Sequence, residues 1–186
     1  AAEAGARVRL VCGPVHLASP AQVTRIDVSS AAQMHAAVMG RVPDCDIFIA
    51  CAAVADYRPE QCATQKIKKS AECLELRLVR NPDIVSDVAA HDPRPFTVGF
   101  AAETTDVLAH ARGKLTAKRL DLIVANDVAR SDIGFNSEFN EVSLISDTDT
   151  TTLPRGTKAQ IARALVAAIG ARFRASHATN PPEQSA

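Results

Sequence analysis

Apolar residues along this chain follow two patterns, short continuous runs and runs at helical spacing. The apolar runs predict strands at ARVRLVCGPV, VTRIDVSS, CDIFIACAA, FTVGFAA and LDLIVAND, in that order. The alternating pattern of CLELRLVRN predicts a half-exposed strand. Between them, SSAAQMHAAVMGRV and TTDVLAHARGKLTAKRL carry apolar residues at helical spacing, which predicts amphipathic helices. Strands that alternate with helices indicate an α/β fold with a Rossmann-like, mainly parallel sheet and helices on both faces.

The carboxyl-terminal part of the chain predicts a different arrangement. NEVSLISD and TTLP have the pattern of a small C-terminal hairpin region, and TKAQIARALVAAIGARFRA predicts a long closing helix. The tail over residues 176–186 carries no apolar anchors, which predicts disorder. We therefore expect one domain over residues 1–175.

The amino end predicts that the domain is incomplete. AAEAGARV has the pattern of a last helical turn that Gly5 ends, followed by a strand. In an α/β unit a strand precedes such a helix, and the loop between them commonly binds phosphate. We expect that amino-terminal strand and its glycine-rich loop to be missing from these residues.

Composition excludes several classes of function. Lys and Arg number 21, as do Asp and Glu, so bulk attraction to nucleic acid or to an anionic membrane is not expected. No apolar run reaches about 18 residues, which predicts no membrane span. The five cysteines form no CxxC pair, so we expect neither disulfides nor a protein-bound metal, and a reduced cytoplasmic setting fits best.

Three predicted strands end in the same way, with small residues followed by an acidic or amide side chain. These ends are FIACAAVAD, VGFAAETTD and LIVANDVAR. Ligands of open α/β sheets bind outside the carboxyl ends of the strands, where small residues let them approach the backbone. One such end is compatible with ordinary turn chemistry, but the three together predict a crevice.

The candidate cations fall into two groups, Lys66, Lys68 and Lys69 after the third predicted strand and Lys114 with Lys118 on one helix face. Each group alone fits a solvated surface. NPDIV adds a helix start, with Asn81 as cap and Pro82 in the first turn. Lysines beside a helix start suit a nucleoside triphosphate. No GxGxxG, GxxxxGK[ST] or GxSxG motif supports a dinucleotide site, a P-loop or a serine nucleophile.

Taken in order, these motifs resemble the phosphopantothenoylcysteine synthetase family. The resemblance rests on CAAVADYRP with KIKK, and then on NPDIV, VGFAAET, VANDV and GFNSEFNEV. It extends from about Ala6 to the closing helix, and the combination of motifs is specific although no single motif is. The family is the ligase of coenzyme A biosynthesis, and in bacteria it usually forms the carboxyl-terminal half of a bifunctional flavoprotein.

The resemblance implies a reaction and a site. It implies that CTP, with Mg²⁺ on its triphosphate, activates 4′-phosphopantothenate as an acyl-cytidylate that L-cysteine then attacks. Lys66 would be the catalytic residue, because it would stabilise charge that develops at the α-phosphate. The implied nucleotide-binding residues are Ala50, Cys51, Ala52, Asp56, Lys66, Asn81, Pro82, Asp83, Ile84, Val85, Phe100, Lys114 and Lys118. The implied substrate-binding residues are Asn126 and Asp127.

The resemblance also implies partners, and it leaves alternatives open. It implies a homodimer, with the NEVSLIS region as an interface, and a decarboxylase domain in the same polypeptide. The family pattern opens with a glycine-rich loop and an asparagine-bearing segment that closes over the acyl-cytidylate, and these residues contain neither. One alternative is therefore a nucleotide-binding or assembly fragment that is inactive without that loop. The other is a nicotinamide-dependent reductase of the same fold class.

Overall fold

The computed structural model describes residues 1–68, 72–103, 106–127, 132 and 137–178, and for Glu103 and Asp127 it describes the backbone only. The strands are β1 (Val8–Cys12), β2 (Val23–Asp27), β3 (Ile47–Ala50), β4 (Tyr57–Pro59), β5 (Leu78–Arg80), β6 (Phe96–Glu103), β7 (Leu122–Asp127), β8 (Phe139–Ile145) and β9 (Thr150–Thr157). The α-helices are α1 (Ala31–Met39), α2 (Ile84–Ala89), α3 (Val107–Ala117) and α4 (Lys158–Ala178). This order confirms the predicted α/β class.

The central sheet contains five strands in the order β3-β6-β7-β8-β9. Strands β3, β6 and β7 run parallel, and β8 and β9 are antiparallel to their neighbours. The predicted hairpin exists as β8 and β9. It extends the central sheet and does not form a separate region.

Two small sheets lie outside the central sheet. Strand β1 pairs in parallel with β2, and β4 pairs in antiparallel fashion with β5. Strands β1 and β3 contribute Val11 and Phe48 to one apolar cluster around α1 and α2. No strand ladder joins β1 to β3 in the described part of the chain, so the backbone edges of these two strands are not paired with each other.

Helices cover both faces of the central sheet, as predicted. On one face, Ile161, Leu165 and Ile169 of α4 pack against a cluster that includes Val98 and Leu122. On the other face, α3 packs against a second cluster from β6 and β7, and α1 and α2 form a third cluster. Side chains of successive strand residues point to opposite faces, which is why one strand serves both layers.

Capping motifs define the start of α1 and the end of α3. Ser30 caps α1 by accepting a hydrogen bond from the Gln33 N–H at 3.2 Å. After α3, the Leu120 N–H donates to Leu115 O at 2.9 Å and the Arg119 N–H donates to Thr116 O at 3.1 Å. These two bonds form a Schellman motif, which needs a left-handed residue after the cap. Arg119 takes that conformation with φ of 53°.

Several predicted boundaries change. Asn81 does not cap α2, because Asp83 holds that position and accepts from the Ser86 N–H at 3.2 Å. The strand predicted over CLELRLVR is confined to Leu78–Arg80. The predicted disordered tail starts too early, since α4 continues to Ala178, and residues 179–186 lie outside the described ranges. The predicted turn before β1 is confirmed as a 3-10 turn that Gly5 ends with φ of 84°.

Two expectations from composition also have outcomes. All five cysteines are free thiols, as the absence of paired spacing predicts. Among the described helices, none combines the length and the apolar character needed to cross a bilayer.

Candidate functional site

The three strand ends that predict a crevice lie side by side. In the β3–β6 ladder Ala50 pairs with Gly99, and in the β6–β7 ladder Ala102 pairs with Asn126. All three strands run in the same direction, so their carboxyl ends meet at one edge of the sheet. The structure therefore brings together three of the predicted site regions, at the edge where sheets of this kind bind ligands.

Phe100 gives this edge an apolar surface. Its neighbours in the sheet, Val98 and Val124, are fully buried, whereas Phe100 is 38% exposed. An exposed ring at a strand end offers a flat face on which a nucleoside base or ribose can pack.

Asn81 fixes the loop that follows β3. Its side-chain N–H group donates to Ala55 O at 2.8 Å, and its backbone N–H donates to Asp56 O at 2.8 Å. Arg58 braces the same junction by donating to Arg80 O at 2.6 Å and to Asn81 Oδ1 at 3.2 Å. The role of Asn81 is thus to hold two loops together. Arg58 was not predicted, although it belongs to the YRP part of the recognised motif.

The Asp56 carboxylate is available to a ligand. Its backbone oxygen is used by Asn81, but its side chain is exposed and makes no hydrogen bond or ion pair with the described residues. The loop geometry therefore holds the residue in place while the two carboxylate oxygens stay open to donors such as ribose hydroxyls.

Asp83 and Lys118, both predicted site residues, form an ion pair. Lys118 Nζ lies 2.9 Å from Asp83 Oδ2 and 3.1 Å from Asp83 Oδ1. Partial desolvation raises the pKa of Asp83, but the hydrogen bonds from Lys118 and Ser86 lower it, and the net pKa lies below its usual value. The Asp83 carboxylate therefore stays ionised, and it forms an ion pair with Lys118, which was predicted to bind phosphate.

Lys114 and Lys118 are held by the last part of α3. Lys114 lies in its last turn, and Lys118 is its C-cap residue, whose N–H donates to Lys114 O at 3.0 Å. The i to i+4 spacing places both side chains on one helix face, as predicted. A phosphate that contacts Lys118 has to share this ammonium with Asp83.

The residues of the NPDIV segment separate into two kinds. Pro82 and Asp83 are exposed at the start of α2. Ile84 is only 7% exposed and packs with Val38 and Val88, and Val85 packs against the α3 cluster. The side chain of Ile84 therefore belongs to the core, and that of Val85 is partly buried against the α3 cluster. That these two residues bind nucleotide stays a prediction.

Cys51 frames the crevice without being a nucleophile. Burial raises the pKa of its thiol, even though part of the residue surface reaches solvent. The thiol therefore remains protonated at neutral pH, and only a thiolate is reactive. Ala50 and Ala52 on either side keep the backbone accessible.

Lys66 makes no hydrogen bond or ion pair with the other predicted residues in the described part of the chain. It lies in the exposed segment that joins β4 to β5, and its ammonium has no partner among the described residues. Lys68 is exposed in the same segment, and Lys69 lies outside the described residues, as does the side chain of Asp127.

The described residues at this edge form no group of metal ligands. Within the described ranges, no three His, Cys, Asp or Glu side chains are placed to hold an ion together. A divalent cation at the crevice would need most of its ligands from a bound phosphate or from water.

The amino-acid sequence of this chain is similar to a known family and to known proteins. Residues 1–172 match the model of a family described as the DNA/pantothenate metabolism flavoprotein C-terminal domain. The coenzyme A biosynthesis bifunctional protein CoaBC of Vibrio cholerae is 53% identical over 89% of this chain and 42% of its own length. The CoaBC protein of Escherichia coli is 48% identical over 93% of this chain and 44% of its length. The chain thus spans about two fifths of these relatives.

Solved structures share the fold. The C-terminal domain of a CoaBC protein superposes with a TM-score of 0.74 and 34% identity, over 90% of this chain and 75% of that domain. A mutant of Cab2 in complex with phosphopantothenate-cysteine gives a TM-score of 0.62 over 83% of this chain and 55% of its own. At 14% identity, this second likeness shows the fold alone.

Proposed function

Because the chain belongs to the DNA/pantothenate metabolism flavoprotein C-terminal domain family, we propose that it performs the phosphopantothenate–cysteine ligase step of coenzyme A biosynthesis. The single observation that carries this proposal is the 53% identity to a CoaBC protein over 89% of the chain. The crevice at the carboxyl ends of β3, β6 and β7 supports it, because this is where such sheets bind nucleotides.

The proposed reaction has two steps. A carboxylate oxygen of 4′-phosphopantothenate attacks the α-phosphorus of CTP, the bond to the bridging oxygen breaks, and pyrophosphate leaves. The cysteine amine then attacks the acyl carbon, CMP leaves, and the amine gives up a proton as the amide forms. Both steps bring anions together, so catalysis requires positioning and charge neutralisation more than an acid–base pair.

The candidate site divides these tasks among its residues. Phe100 and the small residues after β3 would frame the nucleoside, and the Asp56 carboxylate would accept its hydroxyl or amine hydrogens. Lys114 and Lys118 would contact the phosphates, and Asn126 and Asp127 would face the substrate. Lys66 would stabilise the negative charge that develops at the α-phosphate when its segment covers the bound nucleotide.

Magnesium is proposed as an ion that CTP carries. Phosphate oxygens of CTP and water would supply the oxygen ligands that Mg²⁺ prefers. Lys114 and Lys118 would neutralise phosphate oxygens that the ion leaves free, and among the described residues no cluster of three protein ligands is placed to hold the ion.

We also propose that two copies of the chain associate and that a decarboxylase domain belongs to the same polypeptide, as in the bifunctional relatives. The hairpin was the predicted interface, but its residues Val142 and Leu144 are buried in the chain's own core. The segment before β5 is a better candidate, since Leu74, Leu76 and Leu78 are 64%, 61% and 53% exposed at alternating positions. Leu76→Glu should give the mass of a monomer in light scattering, and an unchanged dimer mass would exclude this segment.

A titration tests the proposed nucleotide site against both alternatives. CTP with magnesium should bind at least about tenfold more tightly than ATP, the difference expected for one or two base-specific hydrogen bonds. NADH should not bind measurably. Preference for NADH would favour the reductase, whereas CTP binding without turnover in any form of the polypeptide would favour the assembly module. The free thiols fit a reducing compartment, and the proposed location is the cytoplasm.

A further inference from the structure

A second cavity, distinct from the crevice, lies at the opposite edge of the central sheet. Its volume is about 600 Å³. The residues around it come from the starts of β6 and β7, the turn between β8 and β9, and the last turns of α3 and α4. The crevice lies at the other ends of β6 and β7. The proposed ligase reaction uses no residue that lines this cavity.

Two ion pairs in the cavity wall are already complete. Asp121 accepts two bonds from Arg94, at 2.6 and 2.9 Å, and a third from the Thr97 N–H at 2.7 Å. Arg172 donates to Asp149 Oδ2 at 3.2 Å. Each of these four charged side chains is neutralised by its partner in the protein. They therefore line the cavity without favouring a ligand of either charge.

One charge of each sign remains. Arg119 and Asp147 both line the cavity, both are exposed, and neither side chain has a hydrogen-bond or ion-pair partner among the described residues. Arg119 also holds the left-handed position of the α3 Schellman motif, where glycine is the usual residue. The left-handed conformation strains Arg119, yet its side chain makes no compensating hydrogen bond or ion pair with the described residues. An unpaired charge held in this way beside a cavity indicates a role in binding.

From this arrangement we infer that the cavity binds a small zwitterion, of which an α-amino acid is the simplest. The anionic group of the ligand contacts the Arg119 guanidinium, and its ammonium contacts the Asp147 carboxylate. A purely anionic ligand would be repelled by Asp147, and a purely cationic one by Arg119. Because the two free charges lie on different turns, a ligand that bridges them joins the α3–β7 turn to the β8–β9 turn. This inference does not depend on the proposed ligase activity.

Three probes that differ only in charge test the inference. Backbone amide signals of Leu120 and Thr148, one from each turn, are followed by NMR during titration with glycine, with acetate and with methylammonium at constant ionic strength. Glycine should shift both signals saturably. Acetate and methylammonium should each bind at least about tenfold more weakly than glycine, because each lacks one of the two charge-assisted hydrogen bonds.

Two variants and a control complete the test. Arg119→Asn retains a residue that tolerates the left-handed conformation, and Asp147→Asn retains the shape of the turn. Each should weaken glycine binding at least about tenfold. Arg163→Gln, which removes an exposed guanidinium of α4 that pairs with Glu3, should leave it unchanged. The inference is overturned if glycine causes no saturable shift, if acetate binds as tightly as glycine, or if the Arg119 and Asp147 variants bind like the parent.

Discussion

Lys118 Nζ lies 2.9 Å from Asp83 Oδ2, and this contact joins the C-cap residue of α3 to the N-cap residue of α2. Both residues were predicted to bind a nucleotide, and in the structure they contact each other. The pair joins the face of α3 that carries Lys114 and Lys118 to the loop junction that Asn81 braces. It therefore keeps a cation beside the crevice at low cost, because the lysine is already ordered before a ligand arrives.

The first prediction concerns the stability that this pair contributes. Asn is as good an N-cap residue as Asp, so Asp83→Asn removes the charge and keeps the cap. Since the folded pKa of Asp83 is lowered, its contribution is complete above the unfolded pKa of about 3.9 and is lost as the pH falls through the folded value. At neutral pH the variant should lose about 0.2–1 kcal/mol in free energy of unfolding, the range for a partly exposed pair.

Urea unfolding at about pH 7 and at about pH 2.5, on either side of the unfolded pKa, measures this loss. Asp83→Ala serves as the comparison, since it removes the cap as well and should cost about 1 kcal/mol more at both pH values. The account of this pair is wrong if Asp83→Asn shows the same loss at low pH as at neutral pH.

The second prediction concerns phosphate binding by α3. Lys114→Ala combined with Lys118→Ala should weaken CTP binding about tenfold or more, because hydrogen bonds to charged groups contribute about 1.5–3 kcal/mol each. Cytidine carries no phosphate, so its affinity should change by less than about twofold, well below the effect of one such bond. Calorimetric titration of both ligands measures the difference, with Arg163→Gln as the control for general loss of positive charge. Equal weakening of CTP and cytidine would place the lysines away from the phosphates.

The third prediction concerns packing next to the crevice. A Cβ atom added at Gly99 would lie 2.7 Å from Leu120 Cδ1, and Leu120 is buried. Gly99→Ala should therefore destabilise the fold by about 1–3 kcal/mol. Gly113→Ala is the matched control, because nothing lies within 4 Å of the added Cβ inside α3. That change should stabilise by about 0.5–1 kcal/mol. Chemical denaturation of both variants tests the pair, and equal effects would contradict the predicted clash.

The fourth prediction concerns the strained position of Arg119. Arg119→Gly should stabilise the protein by about 1 kcal/mol, because glycine adopts the left-handed conformation without the steric cost of a Cβ atom. The same variant should lose glycine binding at the second cavity. The midpoint of thermal unfolding and the NMR titration measure the two effects. A variant that is less stable than the parent would show that the Arg119 side chain supports the fold.

The elements with strong periodic patterns could be predicted from the sequence. The buried runs that became β3, β6 and β7, and the helix spacing of α3 and α4, follow from local burial and hold in the structure. The motif resemblance is likewise confirmed by the family match over residues 1–172. These features depend on the chain's own neighbouring residues, which is why sequence alone suffices for them.

The remaining features depend on contacts between distant residues. Asn81 was predicted as a helix cap from its place before Pro82, but its hydrogen bonds to the loop after β3 take it out of that role. Ile84 was predicted in the pocket because its motif binds nucleotide, yet the core formed with α1 buries its side chain. The pairing of Asp83 with Lys118 was not predicted either, because it brings together two helix ends from different units of the fold.

The fifth prediction concerns the catalytic role proposed for Lys66. The sequence places this lysine in a recognised motif, and the structure places it on an exposed segment between β4 and β5. Lys66→Gln in the full-length polypeptide should reduce product formation about 10²-fold or more, the scale for loss of one transition-state stabiliser. Lys68→Gln is the control for a change of charge in the same segment. Activity within about threefold of the parent, far below that scale, would show that Lys66 is only part of a solvated surface.

The measurement that tests the central claim most directly is formation of phosphopantothenoylcysteine from 4′-phosphopantothenate, L-cysteine and CTP, with release of pyrophosphate. It compares this chain with a polypeptide extended at its amino terminus by the corresponding residues of a CoaBC relative. We expect both to bind CTP, because both contain the crevice at the carboxyl ends of β3, β6 and β7, and we expect the extended polypeptide to form product. Absence of product and of CTP binding in both polypeptides would contradict the account.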